Sequence, residues 1–327
     1  MTDNSTNASV AHGRSNGPMS IAVIGAGPVG LTLALLAAER LPQARITLYD
    51  ARPLDRDVSS DARTLALSLG SVQLLERLGA WNAAVAAPIH EVQVSQQSHS
   101  PALQALLGRE PQVRITAEAE GVPMLGAVLP YGAIVAPLQR VWLERAAREP
   151  GRLHSRFGLP VQALKPVQAS TLQQVEVDAG VAELHDLAVV AEGGVFSDQA
   201  RKAITHDYQQ TAWVGTVTLE GARPHTAWER FTRHGPVALL PLPARLDDAP
   251  GAVRASLVWC TDARDDPVEG LNDAQRIAVL QTLVHDDVGR IGSISPLKRF
   301  ALGLNAERTL TDLSLIHISE PTRLRRI

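Results

Sequence analysis

At 327 residues, with 45% hydrophobic and 20% charged side chains, the chain can bury a large core, and its length suits about two domains. A net charge of −3 with no dense Lys/Arg patch argues against nucleic acid as a partner. The single cysteine, Cys260, cannot close an internal disulfide and suits a reducing cytosol. The ten histidines are scattered without metal-ligand spacing, so no metal is expected.

Residues 1–19 are polar, rich in Ser, Asn and Gly, and contain no apolar run fit for a signal peptide; they read as a disordered leader. No segment reaches the ~18 uninterrupted apolar residues needed to cross a bilayer as a helix. Ile21-Ala-Val-Ile-Gly-Ala-Gly-Pro-Val-Gly30 then reads as a strand and a tight glycine turn. Leu31 to Arg40 follows as a helix, and Arg45-Ile-Thr-Leu-Tyr-Asp50 as a second strand ending in an acid. Such a unit holds the diphosphate of a dinucleotide. Gly25 permits the sharp turn, Gly27 lets the backbone approach the pyrophosphate, and Gly30 lets the helix press on the sheet. Ala26 and Pro28 complete the phosphate loop, and the helix start offers unpaired N–H groups to the anion. Asp50, 20 positions after Gly30, is placed to bind the adenosine ribose. This pattern leaves FAD and NAD both open.

Farther along, residues 71–79 read as a helix with Val72, Leu74, Leu75 and Leu78 apolar and Gly79 at its end, and residues 88–95 alternate like a strand. Residues 138–148 form a helical pattern with Leu138, Val141, Trp142 and Leu143 inward. Short strands over 161–190 end in the apolar run 187–191, read as a further buried parallel strand. Period-two strands follow at 212–219, 227–232, 237–242 and 253–260, and an amphipathic helix at 273–285. The expected fold class is α/β, a Rossmann-type βαβ domain with an inserted, mainly antiparallel β-sheet domain. The nucleotide domain takes 20–87 and 130–200, the substrate domain 88–129 and 201–300, and 301–312 returns toward the first domain. Residues 313–327 fit poorly with what precedes them and resemble translated sequencing-adapter DNA. They are read as a non-native tail, without whose three arginines and one glutamate the net charge falls by two.

Five stretches in order, Asp61-Ala-Arg-Thr-Leu-Ala-Leu, His206-Asp-Tyr-Gln-Gln, Trp228-Glu-Arg-Phe-Thr, His234-Gly-Pro-Val-Ala-Leu-Leu-Pro241 and Ser256-Leu-Val-Trp-Cys260, join the glycine motif. Together they resemble the class A flavin-dependent aromatic hydroxylases of the ubiquinone-biosynthesis group, in particular its polyprenyl-methoxyphenol hydroxylases. The resemblance covers about residues 21–312 and implies a para-hydroxybenzoate-hydroxylase-like fold with FAD as cofactor and NAD(P)H as transient reductant. It further implies transfer of one atom of O₂ to a polyprenyl phenol through a flavin hydroperoxide. A cytoplasmic enzyme associated peripherally with the inner face of the membrane, beside other quinone-synthesis enzymes, is implied too.

By the same resemblance Arg63 sits near the flavin. Glu192-Gly193 stands where the family has Asp-Gly, and the longer side chain shifts the carboxylate. Near Ala136-Pro-Leu-Gln139 the family often carries an arginine that contacts the cofactor, for which Gln139 is the substitute. The Gly-Asp motif that would follow Leu310 is absent. The substrate cavity is expected between the inserted sheet and the flavin, with Phe231, Leu239, Pro241 and Trp259 as wall candidates that also suit ordinary core packing. No catalytic acceptor is identifiable. Two alternatives stand beside the hydroxylase: the chain as given is an inactive fragment unable to hold FAD, or it is an NAD-linked dehydrogenase.

Overall fold

The computed structural model describes residues 17–61, 63–98, 110–169, 172–191, 203–246, 248–307, 311–312 and 315–317. Residues 1–16 of the leader, most of the tail, and Glu192 with Gly193 lie outside them. By contact the chain divides into two compact units, one of Met1–Arg56, Trp142–Ala203 and Ala306–Ile327, the other of Asp57–Val141 and Ile204–Asn305.

The first unit is built on a six-stranded sheet. Strand β1 (Ser20–Ile24) lies between β2 (Arg45–Asp50) and β12 (Leu187–Val190), both parallel to it. Strand β8 (Leu153–Phe157) continues the sheet beyond β2, while β20 (Leu315–His317) and β19 (Thr311–Asp312) continue it beyond β12. Ile21 to Ile24 are all buried, as befits a parallel strand covered on both faces. Helix α1 (Pro28–Arg40) makes the crossover and buries Leu31, Ala34, Leu35 and Ala38. A three-stranded antiparallel sheet of β9 (Ala163–Ala169), β10 (Leu172–Asp178) and β11 (Ala182–His185) brings Val175 and Val177 against Ala22, Ile24 and Tyr49.

Helix α3 (Tyr131–Arg148) enters this unit at Trp142, whose indole donates to Ser155 Oγ at 2.9 Å. It starts seven residues before the predicted 138, with Pro137 inside. Proline usually ends a helix, but Ile134, Val135 and Leu138 are fully buried on either side of it and hold the helical path. Two guanidinium groups cap the C-terminal end of α1. Arg145 and Arg152 donate to the Ala38 carbonyl at 3.0 and 2.9 Å, and Arg152 also reaches Ala44 O at 3.3 Å. Cations there complement the negative end of the helix dipole.

The second unit contains an eight-stranded sheet. Its order is β17 (Arg290–Ile294), β13 (Ala203–Glu220), β16 (Ala252–Asp262), β15 (Gly235–Pro241), β14 (Thr226–Thr232), β5 (Glu91–Gln96) and β6 (Gln112–Thr116), with β18 (Lys298–Glu307) also on β13. All these pairs are antiparallel except β14 with β5 among those whose register is given. One face, carrying Trp213, Val217, Leu219, Trp228, Val237, Leu239, Leu257 and Trp259, packs with Leu280 of helix α4 (Asp273–Leu283) and with Val284. The other face meets a small sheet of β3 (Thr64–Ser68), β7 (Gly126–Pro130) and β4 (Ala87–Ile89), where Ala227 joins Ala87, Ile89 and Val128. Thr64 Oγ1 and Ser256 Oγ link the two sheets at 2.9 Å.

The expected period-two strands all appear. The stretch read as one strand over 88–95 is two, β4 and β5, because at His90 the chain passes from the small sheet to the large one. Residues 57–87 and 130–141 cluster with the second unit, since β3 pairs with β7 and the preceding loop bonds to the start of α3. Helix α2 (Leu69–Arg77) is capped by Ser68 and stops at Gly79, whose φ of 70° suits glycine. The architecture is α/β, a Rossmann-type βαβ unit with an inserted, mainly antiparallel sheet.

Candidate functional site

Directly after Ile24, the last residue of β1, the chain must turn back on itself to begin α1. Gly25 makes that turn at φ 102°, a conformation side chains disfavour, and its N–H donates to Tyr49 O at 2.8 Å. A Cβ on Gly30 would stand 1.8 Å from the Gly25 carbonyl oxygen and 3.3 Å from the Ala191 Cβ. Only glycine allows α1 to lie this close to the turn.

Asp50 closes the loop from the neighbouring strand. Its Oδ2 accepts the Ala26 N–H at 2.5 Å and its Oδ1 accepts the Arg52 N–H at 2.7 Å. The Arg52 guanidinium returns to the Ala26 carbonyl at 3.1 Å, so both backbone polar groups of that one residue are held. Arg52 escaped the sequence reading; a basic residue two places after the strand-end acid is the signal that could have found it. Gly27 is the N-cap of α1, no side chain caps it, and Pro28 at the first turn has no N–H. The N–H groups at the start of α1 therefore remain available to an anion, at the positive end of the helix dipole.

In the second unit a different cluster surrounds Arg63. Asp61 binds its guanidinium through both oxygens, at 3.0 Å to Nε and 2.7 Å to Nη2, and the guanidinium lies 4.7 Å from the centre of the Tyr131 ring. Those hydrogen bonds hold the Asp61 carboxyl below the usual carboxylate range, against some burial. The loop is latched onto the start of α3. Tyr131 N donates to Arg63 O at 2.6 Å, and Gly132 N to Asp61 O at 3.0 Å. A Cβ on Gly132 would stand 2.4 Å from Val58 O and 2.5 Å from Ser59 O. Gln139 is half-buried on α3.

The four wall candidates divide by strand parity. Leu239 and Trp259 lie in the core beneath α4, and Pro241 is buried on that same face, in register with Ala255. All three are buried core residues of that face. Phe231 stands on the opposite face and is 45% exposed. That face also carries the row Val214, Val258 and Ala238, joined by register and only half-buried. Cys260 is buried. A polar cluster that the sequence reading missed lies in the first unit. Tyr49 donates to Glu183 at 3.0 Å and contacts His185 Nε2 at 3.0 Å, and His185 Nδ1 meets Ser20 Oγ at 3.0 Å.

No family model matches the chain. In fold it is similar to PqsL, a probable FAD-dependent monooxygenase from Pseudomonas aeruginosa, with a TM-score of 0.63, 15% identity and coverage of 93% of this chain and 78% of that one. It is likewise similar to p-nitrophenol 4-monooxygenase PnpA from Pseudomonas putida DLL-E4, with a TM-score of 0.57, 13% identity and coverage of 93% and 72%. The chain thus shares the fold of these two monooxygenases. In sequence the chain is similar to 3-demethoxyubiquinol 3-hydroxylase of Escherichia coli K12, 27% identical over 305 residues and 90% of the chain. It is 27% identical over 319 residues, 92% of the chain, to ubiquinone hydroxylase UbiL of Rhodospirillum rubrum. The chain spans 70% of the length of the first and 65% of the second.

Proposed function

We propose that this chain carries the nucleotide-binding and substrate-sheet parts of an FAD-dependent hydroxylase that adds one oxygen atom of O₂ to the ring of a polyprenyl phenol in ubiquinone biosynthesis. The observation that carries this reading is the latch of Asp50 on Ala26 beside the Gly25–Gly30 contact, in a fold shared with flavin-dependent monooxygenases. The residues fit an adenine dinucleotide. The amides at the start of α1 would take the diphosphate, and Asp50 the ribose hydroxyls. Arg63, positioned by Asp61 and Tyr131, is assigned to the flavin end. Gln139, Glu192 and Gly193 complete the assignment. FAD, once reduced by NAD(P)H, supplies the activation of O₂; the protein binds, orients and excludes water.

For the substrate we assign the half-buried row Val214, Val258 and Ala238 to the ring. Across the sheet this row passes through the exposed Glu229 to Val94 and Val113, the last 59% exposed. The apolar residues of this row, on either side of Glu229, are the part of the face we assign to the start of an isoprenoid tail. Among the described residues no helix is long and apolar enough to cross a membrane, and peripheral association with the membrane would bring the enzyme to so apolar a substrate. Titration of the purified chain with FAD, followed separately by substrate-dependent O₂ consumption with polyprenyl phenols, tests the reading. Bound FAD with oxygen uptake supports it whole. Bound FAD without uptake leaves the cradle and removes the reaction, and nicotinamide turnover without bound flavin replaces it with a dehydrogenase.

A further inference from the structure

On the face of the large sheet covered by α4, Trp228 and Arg230 stand two residues apart on β14 and point the same way. Their exposures are 5% and 9%. Arg230 is already paired, with Nη2 at 2.5 Å from Glu110 Oε2 and Nη1 at 3.3 Å from Ser95 Oγ. Its Nε–H and the indole N–H of Trp228 have no hydrogen-bond partner among the described residues, and neither atom reaches solvent. Two orphaned donors from residues two apart on one strand are unusual, since buried N–H groups almost always find an acceptor. Both line one cavity, together with Gln93, Ser95, Val237 and His285, in which the centre of a water-sized sphere can range over ≈ 10 Å³. That is about the least space that holds one water and too little for any larger molecule.

We propose that this cavity holds a single ordered water, which accepts from Trp228 Nε1 and Arg230 Nε. Indole and guanidinium can only donate, so the occupant must accept twice, and a water can return its own protons to oxygen acceptors on the wall. The Ser95 hydroxyl and the Gln93 side-chain carbonyl oxygen are of that kind. A neutral occupant follows from Glu110. Its carboxylate balances Arg230 at close range, with side-chain exposures of only 10% and 14% for the pair, so a halide would bring uncompensated charge beside it.

Crystals of the full chain grown from bromide-containing solution, with data collected near the bromine edge, decide between these occupants. The expected result is one density peak within hydrogen-bond distance of both nitrogens and without anomalous signal. An anomalous peak there, no peak, or the two nitrogens bonded instead to protein atoms overturns the proposal. In solution, the indole proton of Trp228, assigned by its loss in Trp228→Phe, should show cross-relaxation with water of the sign given by a long-lived internal molecule. Absence of that signal in the wild-type chain also overturns it.

Discussion

The Asp50 carboxylate and the Ala26 amide meet at 2.5 Å across 24 positions of sequence. One bond therefore ties the glycine turn after β1 to the end of β2, and Arg52 reinforces it from the other side at Ala26 O. The geometry explains why an acid is useful here before any ligand arrives. It fixes the Ala26 backbone at the turn that leads into α1.

Replacing Asp50 by Ala removes a charge-assisted bond of about 1.5–3 kcal/mol. Affinity for ADP, a probe of the adenosine half alone, should fall roughly 10–100-fold. Calorimetric titration of the wild-type chain and D50A measures this. Equal affinities would remove Asp50 from the nucleotide site.

Gly30→Ala and Gly70→Ala should move stability in opposite directions. The new Cβ at position 30 would press on the Gly25 carbonyl oxygen at 1.8 Å, whereas that at position 70 has nothing within 4 Å. Overpacking of this kind costs about 1–3 kcal/mol, while an unstrained alanine in a helix gains about 0.5–1 kcal/mol over glycine. Urea midpoints read both. A neutral G30A would mean that α1 can slide away from the turn.

Arg152 should matter more than its surface position suggests. It donates to Ala38 O and Ala44 O, with its side chain only 17% exposed. Arg152→Met should cost about 1–3 kcal/mol through lost charged hydrogen bonds at the helix end. Arg264, paired with Asp262 at exposures of 73% and 45%, should by contrast leave the denaturation midpoint unchanged when replaced by Ala. Parallel denaturation of the two variants checks the contrast.

How much of this could be read from sequence depends on how local each signal is. The turn at Gly25, the close approach at Gly30 and the reach of Asp50 are all encoded within one βαβ unit, where spacing and residue type determine geometry. The period-two strands were legible for the same reason. Strand parity by itself does not say which face of a sheet is covered. Alternation puts Leu239 and Trp259 on the face with Trp213, and Phe231 with Ala238, but which face the helix covers depends on where α4 folds back from residue 273. The start of α3 was hidden by Pro137, because tertiary burial of Ile134 and Val135 overrides a local helix-breaking preference. The cluster of Tyr49, Glu183, His185 and Ser20 joins residues up to 165 positions apart, and no local pattern marks it.

That cluster predicts an acid limb in stability. Burial outweighs the neighbouring Glu183 carboxylate and holds the His185 imidazole below its ordinary value. With a proton on Nε2 the ring donates to the Tyr49 oxygen and accepts from Ser20, so the neutral form is the one the fold satisfies. Below the unfolded value of about 6.5 the unfolded chain binds a proton that the folded chain resists, so stability rises with pH across that interval and is lost as pH falls through it. Glu183 acts lower. Burial raises its carboxyl, but bonds from Arg156 and Tyr49 prevail and hold it below the usual range, so its contribution is lost only under stronger acid. His185→Gln should therefore flatten the stability profile below about pH 6.5 while leaving the stronger acid transition in place. Urea unfolding at stepped pH measures both limbs, and an unchanged slope in H185Q would move the titration elsewhere.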